Sequence, residues 1–482
     1  MTVKPAPPEG FATAISLGVV GAGAAGLCAA LAVHEAGAEV VVFERDPLPR
    51  GSTALSAGLI PAAATRFQRA LGIIDSAEHF AADIRRKAHD EGNSPIAELV
   101  ARESGPTVEW LADRYGLPFS LVHDFNYPGH SARRMHGLPS RSGAELIDRL
   151  NRAAEQAAIT IVADATVSAL FADVEGVIRG FEVTRPDGSC DRIGCEALIL
   201  ACNGYGGAPD LVARYIPEMR AAQYFGHPGN RGDAVLWGGA LGAKLLNMSG
   251  YQGHGSVAHP HAILITWAVI MEGGFQVNAL ARRFSNESLG YSEQAALVLE
   301  QHESIAFDIF DERIAAVARQ FEDFRQAEAT GAVVTAGNIE ELAERLKLPR
   351  EALTETFREV EGAKEGTAAD PFGRAFKGVT RLSPPYKAVR VTSALFHTQG
   401  GLAVDVDARV LNERGAPLPN LLAAGGAAAG VSGSVASGYL SGNGLLTATV
   451  LGRIAGASAA ALVKDNQLTP SAAAGNDHAP DP

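Results

Sequence analysis

Gly21, Gly23 and Gly26 stand at the spacing G-x-G-x-x-G, and Glu44 closes the apolar run that follows. Residues of these types at this spacing bind a dinucleotide. Gly21 permits a tight turn, Gly23 lets backbone approach a pyrophosphate, and Gly26 lets a helix lie against a strand. The helix N-terminus turns free N–H groups toward the phosphates, and Glu44 is placed to accept hydrogen bonds from a ribose diol.

Those residues need a strand before them, a helix through them and a second strand after them. Leu17, Val19 and Val20 predict the first strand. Leu27 to Ala36 holds strong helix formers without Pro or Gly, and Gly37 ends it. Glu39 to Phe43 predicts the second strand, with Glu44 at its tip. All the context the motif requires is present. Its place near the start of a 482-residue chain points to FAD rather than NAD.

Composition sets outer bounds. A chain of this length holds two or three domains, and 47% hydrophobic with 20% charged residues is a soluble globular balance. A net charge of −13 argues against nucleic acid and anionic membrane as partners. No uninterrupted apolar run of membrane-spanning length is expected, nor a secretion signal in residues 1–14, and the reading is cytoplasmic. The four cysteines, Cys28, Cys190, Cys195 and Cys202, form no C-x-x-C pair and are expected to be reduced and incidental. No metal site is expected.

Residues 1–13 are expected to form a flexible arm. Arg50 to Ile60 is a small-residue loop suited to wrap an extended cofactor. Residues 77–115 follow a helical pattern through Phe80, Ile84, Ile96, Leu99, Val100, Val108, Trp110 and Leu111. The polar stretch from Asp124 to His136 offers Tyr127, His130, Arg133, Arg134 and His136 to a substrate or to solvent. Gly143 to Ala157 predicts a helix. Residues 159–171, 178–185 and 190–196 alternate as strands, with Pro186-Asp-Gly as a turn. Ala197 to Gly207 runs a buried strand into a glycine-rich turn. Residues 246–385 change texture, with charged helical segments, and are expected to be an inserted cap domain. Strand-and-glycine texture returns from 386 to 465, and Gly442-Asn-Gly opens a final long helix ending near Leu462. Residues 466–482 are expected to be a disordered tail.

The expected fold class is therefore α/β: a Rossmann-like FAD-binding domain of glutathione-reductase type (residues 14–245 and 386–465) around an α+β cap. The expected cofactor contacts are Gly21, Gly23, Ala24, Ala25, Gly26, Glu44, Arg45, Ser52, Thr53, Ser56, Ala57, Gly58, Val167, Ala201, Asn203, Gly204, Asp233, Gly425, Gly426, Gly442, Asn443, Gly444, Leu445 and Leu446.

Four blocks together resemble the FAD-dependent fumarate reductase/succinate dehydrogenase flavoproteins, including the 3-ketosteroid dehydrogenase branch. They are the N-terminal unit, Arg283-Phe-Ser-Asn-Glu, His397-Thr-Gln-Gly-Gly, and Gly442-Asn-Gly with Leu451-Gly-Arg-Ile-Ala-Gly. The resemblance spans roughly residues 15–460. Where fumarate reductases carry a proton-donating arginine, this chain has Tyr291. Where they clamp a dicarboxylate with a second arginine, it has Tyr439. A tyrosine cannot replace that bidentate fork, whereas ketosteroid dehydrogenases use two tyrosines in much these places. The resemblance also puts His397 and His254 at the active site. Ser52 stands where membrane complexes attach FAD through histidine, so FAD is expected to be noncovalent.

The resemblance implies α,β-desaturation of a cyclic ketone, either steroidal or a smaller oxo-cyclohexane ring. Tyr439 and a backbone N–H near Gly442 would polarise the carbonyl. Tyr291 would take the α-proton while hydride leaves the β-carbon for the flavin. The acceptor that reoxidises the flavin is not named by the sequence. Three alternatives stay open: the reverse reaction on an activated C=C bond, a carboxylate-bearing substrate held by Arg133, Arg134 or Arg282, and a non-catalytic flavin-binding protein. Few aromatics overall (6%) favour a smaller ring.

Overall fold

The computed structural model describes residues 2–123, 126–376 and 379–468. The chain starts with a strand, β1 (Thr2–Pro5), then β2 (Thr13–Val20), helix α1 (Ala24–Glu35) and β3 (Val41–Phe43). β1 corrects the flexible-arm expectation. It pairs in parallel with the later strand Thr166–Ala172, and Phe11 packs edge-on against Phe171 with ring centroids 5.6 Å apart. The scattered apolar residues of the arm are thus the ones that seat it.

Helices α2 (Ala77–Lys87) and α3 (Ser94–Tyr115) follow, where the periodicity runs through as one pattern; His89 and Asp90 adopt positive φ between them. Helix α4 (Gly143–Gln156) is capped by Ser142, whose side chain accepts from the Glu145 N–H. The expected strand 159–171 is two strands, β4 (Thr160–Val162) and β5 (Thr166–Ala172), broken where Asp164 takes positive φ. Next come β6 (Ile178–Thr184) and β7 (Cys190–Leu200). β7 is long enough to serve two neighbours. Its first half pairs antiparallel with β6, and its second half pairs in parallel with β2. The meander is therefore continuous with the dinucleotide sheet, in the order β1-β5-β6-β7-β2-β3-β4.

A second, seven-stranded sheet forms the cap. Its main strands are β8 (Tyr251–Ala258), β9 (Ile305–Asp311) and β10 (Tyr386–Thr398), with helices α5 (Tyr291–Leu299) and α6 (Glu322–Ala329) on the way. β10 pairs with β8, with β9 and with Val333–Ala336. The expected boundary at 385/386 thus falls before a strand at the middle of the cap sheet. Local texture does not reveal a strand's partners, and the change of texture at Gly400 lies beyond β10.

The chain returns to the first sheet through β11 (Pro417–Ala423), parallel to β7, and ends in α7 (Asn443–Leu468). The rest of the expected tail, 469–482, lies outside the described residues. One segment, Asn443–Asp465, is long and apolar enough on average to span a membrane, with a mean hydropathy of 1.5, although Arg453 interrupts it. Its apolarity has a local cause: most of it is buried against α1. The two helices run parallel and touch backbone to backbone. A Cβ on Gly452 would lie 2.4 Å from the Ala25 carbonyl oxygen, and one on Gly456 2.1 Å from that of Ala29.

Candidate active site between the two sheets

Between the sheets lies a cleft with ≈ 1710 Å³ of empty space, part of it open to solvent. One end is built from the first βαβ unit. Gly21 has φ +101, and a Cβ there would meet the Ala201 carbonyl oxygen at 2.7 Å. A Cβ on Gly23 would meet only Thr53 Oγ1, at 3.6 Å, and otherwise project into empty space. Gly23 caps α1 without a side chain, and the first turn carries no acid, so the positive end of the helix is open to an anion. The Glu44 carboxylate is buried and oriented by the N–H groups of Ala22 (2.8 Å) and Asp46 (3.1 Å). This is the cradle a pyrophosphate and ribose require, and these residues fit FAD.

Of the expected cofactor contacts, Gly21, Gly23, Ala24, Ala25, Glu44, Arg45, Ser52, Thr53, Ser56, Ala57, Gly58, Val167, Ala201, Asn203, Gly425, Gly426, Gly442, Gly444 and Leu445 line the cleft. Five do not. A Cβ on Gly26 would lie 1.9 Å from the Gly21 carbonyl oxygen, and one on Gly204 2.0 Å from Thr398 Oγ1, so both serve close packing. Leu446 is in the core. Asp233 pairs with Arg45 at 2.6 Å behind the wall. Asn443 acts at second hand: its Nδ2 donates to Ser432 Oγ (3.0 Å), which donates to Gln399 Oε1 (2.7 Å). Gln399 Nε2 in turn donates to His397 Nδ1 (2.9 Å).

All five expected catalytic positions, Tyr291, Tyr439, Gly442, His397 and His254, line the same cleft. Tyr291 is the first residue of α5, and the turn before it is fixed by buried charge. Arg283 donates to both oxygens of Glu287 at 2.8 Å and pairs with Asp370. Arg374 adds a bond to Glu287 at 3.1 Å. Burial alone would raise the Glu287 carboxyl, but the hydrogen bond from Arg283 and the two guanidinium charges bring it below its usual range. The Arg283-Phe-Ser-Asn-Glu block thus holds the backbone that presents Tyr291.

The rings of Tyr291 and Tyr439 lie 6.1 Å apart at 58°. His254 stacks on Tyr291 (4.7 Å, 18°), and Trp267 stands edge-on to His254 (5.5 Å, 90°). Gln252 and His254 sit two apart on β8 and share its cleft face, and the register of β8 on β10 sets Gln252 opposite His397. Burial pushes His254 down to about 3 and His397 to about 4, so both are neutral. Each has its Nδ1 occupied as an acceptor, His254 by the Ser256 N–H (3.1 Å) and His397 by Gln399, which places the proton on Nε2.

Both phenols are pushed up by burial. Tyr291 is raised well above its ordinary 10, the neighbouring Tyr439 adding to the burial. Tyr439 rises to about 12; the N–H groups of Gly444 and Gly442 and a hydrogen bond from Tyr291 hold it down.

The carboxylate-clamp candidates do not reach the cleft. Arg134 is sealed in a buried pair with Asp75 (2.7 Å) and Asp83. Arg282 pairs with Glu355 on the surface, and Arg133 is exposed. His136 is buried between Thr65 and the Arg134 carbonyl, and His130 donates to the Ser441 carbonyl at 2.9 Å. Tyr127 does line the cleft, with Phe225, Trp267, Phe321 and Phe396. These four, and Gln252, carry no motif. Low overall aromatic content had suggested a sparse pocket, but the aromatics are gathered here. Of the cysteines, Cys202 lines the cleft; Cys28 and Cys195 are buried and Cys190 is exposed, and all are free. Among the described residues no His/Cys/Asp/Glu group suited to a metal ion is found.

The chain matches the family described as FAD binding domain over residues 18–445. The probable fumarate reductase Ifc3 of Shewanella frigidimarina (strain NCIMB 400) is 30% identical over 442 residues, covering 92% of this chain and 74% of that protein. The open conformation of a flavocytochrome c3 fumarate reductase is similar at a TM-score of 0.79 and 28% identity, covering 94% of this chain and 79% of that one. The 3-ketosteroid-Δ4-(5α)-dehydrogenase of Rhodococcus jostii RHA1 shares the fold, at a TM-score of 0.73 and 24% identity, covering 95% and 99%. On the family match and the relative at 30% identity, the chain belongs to the FAD binding domain family with the fumarate reductase flavoproteins, and it is an FAD-dependent oxidoreductase acting on carbon–carbon bonds.

Proposed function

We propose that this enzyme desaturates the α,β C–C bond of a cyclic ketone, steroidal or of oxo-cyclohexane size. The tyrosine pair Tyr291/Tyr439, set in a cleft whose aromatic wall carries no free arginine among the described residues, is the observation that carries the reading. Bound FAD supplies a two-electron hydride acceptor. Tyr439, polarised by the Gly444 N–H at 3.3 Å, donates its O–H to the ketone oxygen as enolate character develops. Tyr291 exchanges the α-proton, and its stacked neighbour His254, neutral and with Nε2–H, orients its ring. The aromatic wall excludes water and holds the ring flat.

The reverse reaction, reduction of a C=C bond conjugated to a carbonyl, has one observation in its favour. Burial keeps Tyr291 a neutral phenol, the form that donates a proton. The fumarate reductases among its relatives act in that sense. Anaerobic mixing decides the direction. Bleaching of the oxidised flavin by a saturated cyclic ketone supports desaturation, and reoxidation of reduced enzyme by the enone without any bleaching supports reduction. No response to either compound class, steroidal and small, removes the proposal.

A further inference from the structure

Among the described residues, the charged side chains that line the cleft are Glu44, Arg45, Asp46 and Asp323. Three have partners. Glu44 accepts two backbone N–H groups, Arg45 pairs with Asp233 at 2.6 Å, and Asp46 pairs with His227 at 2.8 Å. Asp323 makes no hydrogen bond or ion pair among the described residues. It lies in the first turn of α6, in the cap, and is mostly withdrawn from solvent. α6 packs against the strand Ile263–Leu264, and the residues running on from that strand, Leu264, Thr266 and Trp267, form the cleft wall up to Tyr291. Asp323 therefore belongs to the cap wall of the cleft, on the side of the tyrosine pair.

An unpartnered, half-buried carboxylate is costly to keep unless something donates to it. The cleft wall includes Phe321 and Leu264, and the guanidinium of Arg141, which bonds to Gln320, lies 6.0 Å from the Phe321 ring. Burial, with the charge of Glu322, raises it to about 6, which leaves it mainly ionised at neutral pH. Asp323 is only partly buried, so water in the cleft donates to it and a ligand there can take that water's place.

We infer that Asp323 is a specificity-determining residue: it accepts a hydrogen bond from a hydroxyl or ammonium group on the substrate and disfavours a substrate that presents a carboxylate there. The inference rests on the reading of the cleft's cap side as the substrate subsite, and it adds to that reading a polar substituent of defined sign. A donor to an ionised acceptor is worth about 1.5–3 kcal/mol, or about 10–100-fold in binding.

The test is binding to the oxidised holoenzyme, read as perturbation of the visible flavin absorbance, so that it does not depend on turnover. The probes are cyclohexanones bearing an ammonium, hydroxyl, methyl or carboxylate group at C4. Wild-type protein is expected to bind the ammonium and hydroxyl compounds at least about tenfold more tightly than the carboxylate. Asp323→Asn, checked for unchanged FAD content, should lose the ammonium preference and admit the carboxylate, while the methyl compound binds as before. Asp323→Glu should keep the wild-type order. A wild-type protein that does not discriminate among the four, by binding all alike or none, overturns the inference, as does an order left unchanged in Asp323→Asn. If no ketone bleaches the flavin while the ranking holds, the desaturation reading falls and the role of Asp323 stands.

Discussion

The Tyr439 hydroxyl oxygen accepts the backbone N–H of Gly444 at 3.3 Å, within the first turn of α7. The fixed positive end of a helix thus bears on a phenol rather than on an open space. Burial raises both phenols; the two N–H groups and Tyr291 oppose it at Tyr439, and a hydrogen bond with Ser441 opposes it at Tyr291.

The first prediction concerns pH. Tyr439 stands at about 12 and Tyr291 higher than its ordinary 10, so both are protonated at neutrality. Desaturation needs one of them to have lost its proton. Anaerobic flavin reduction by ketone should therefore climb by about tenfold per pH unit between about 7 and 10, without a plateau. His254 and His397, at about 3 and 4, add no inflection there. Stopped-flow rates that level off near pH 6.5 would assign the proton to a histidine instead.

Replacing Tyr291 by Phe keeps the ring that stacks on His254 and removes only the hydroxyl. FAD content and spectrum should be unchanged, while flavin reduction falls by about 10²–10⁴. Substrate binding should weaken far less, since the contact is made mainly in the transition state. Wild-type reduction rates in this variant would remove Tyr291 from the mechanism.

Fumarate and succinate should be poor substrates. Among the described residues Arg45 is the one arginine on the cleft wall, and Asp233 already holds it. With no bidentate partner for a carboxylate, kcat/KM for fumarate should fall at least about 100-fold below that for a ring enone. Comparable steady-state values would contradict the reading of the pocket.

Gly23 and Gly26 should respond differently to the same change. A side chain at Gly23 meets almost no protein and fills the cradle, so Gly23→Val should fold and lose FAD. At Gly26 the Cβ runs into the backbone of Gly21, so Gly26→Val should lower the melting temperature even without cofactor. Thermal melts and flavin content of the two purified variants separate these effects.

The flavin should leave the protein on acid denaturation. Ser52 Oγ is engaged by the His227 N–H (2.9 Å) and Asn230 Nδ2 (2.8 Å), and it offers no nucleophilic ring nitrogen. Flavin that stays with the precipitated chain would show a covalent bond elsewhere.

What the sequence made legible was local. The βαβ unit could be read because strand, turn, helix and acid lie within one short span, and Tyr291 because a motif stands just before it. Tyr127 was visible only as one of several polar residues in a loop, where its neighbour Arg134 looked equally available but is sealed between two aspartates. Phe225, Trp267, Phe396 and Asp323 gave no signal. They reach the cleft from different segments, through the pairing of β8 and β10 and the packing of α6, and none of those relationships leaves a period or spacing along the chain. The overall aromatic content misled for the same reason: composition averages over the chain what folding gathers at one wall.

The seam between α1 and α7 has a consequence in time. The helix that covers α1 at Gly452 and Gly456 is made roughly 400 residues after it, which at about 5–20 residues per second is roughly 20–80 s of synthesis. Through that interval the nascent chain carries an apolar helix without its partner and a phosphate cradle without its second wall. Emergence of the closing helix, rather than completion of the first unit, is the moment at which the cradle gains the wall packed on α1.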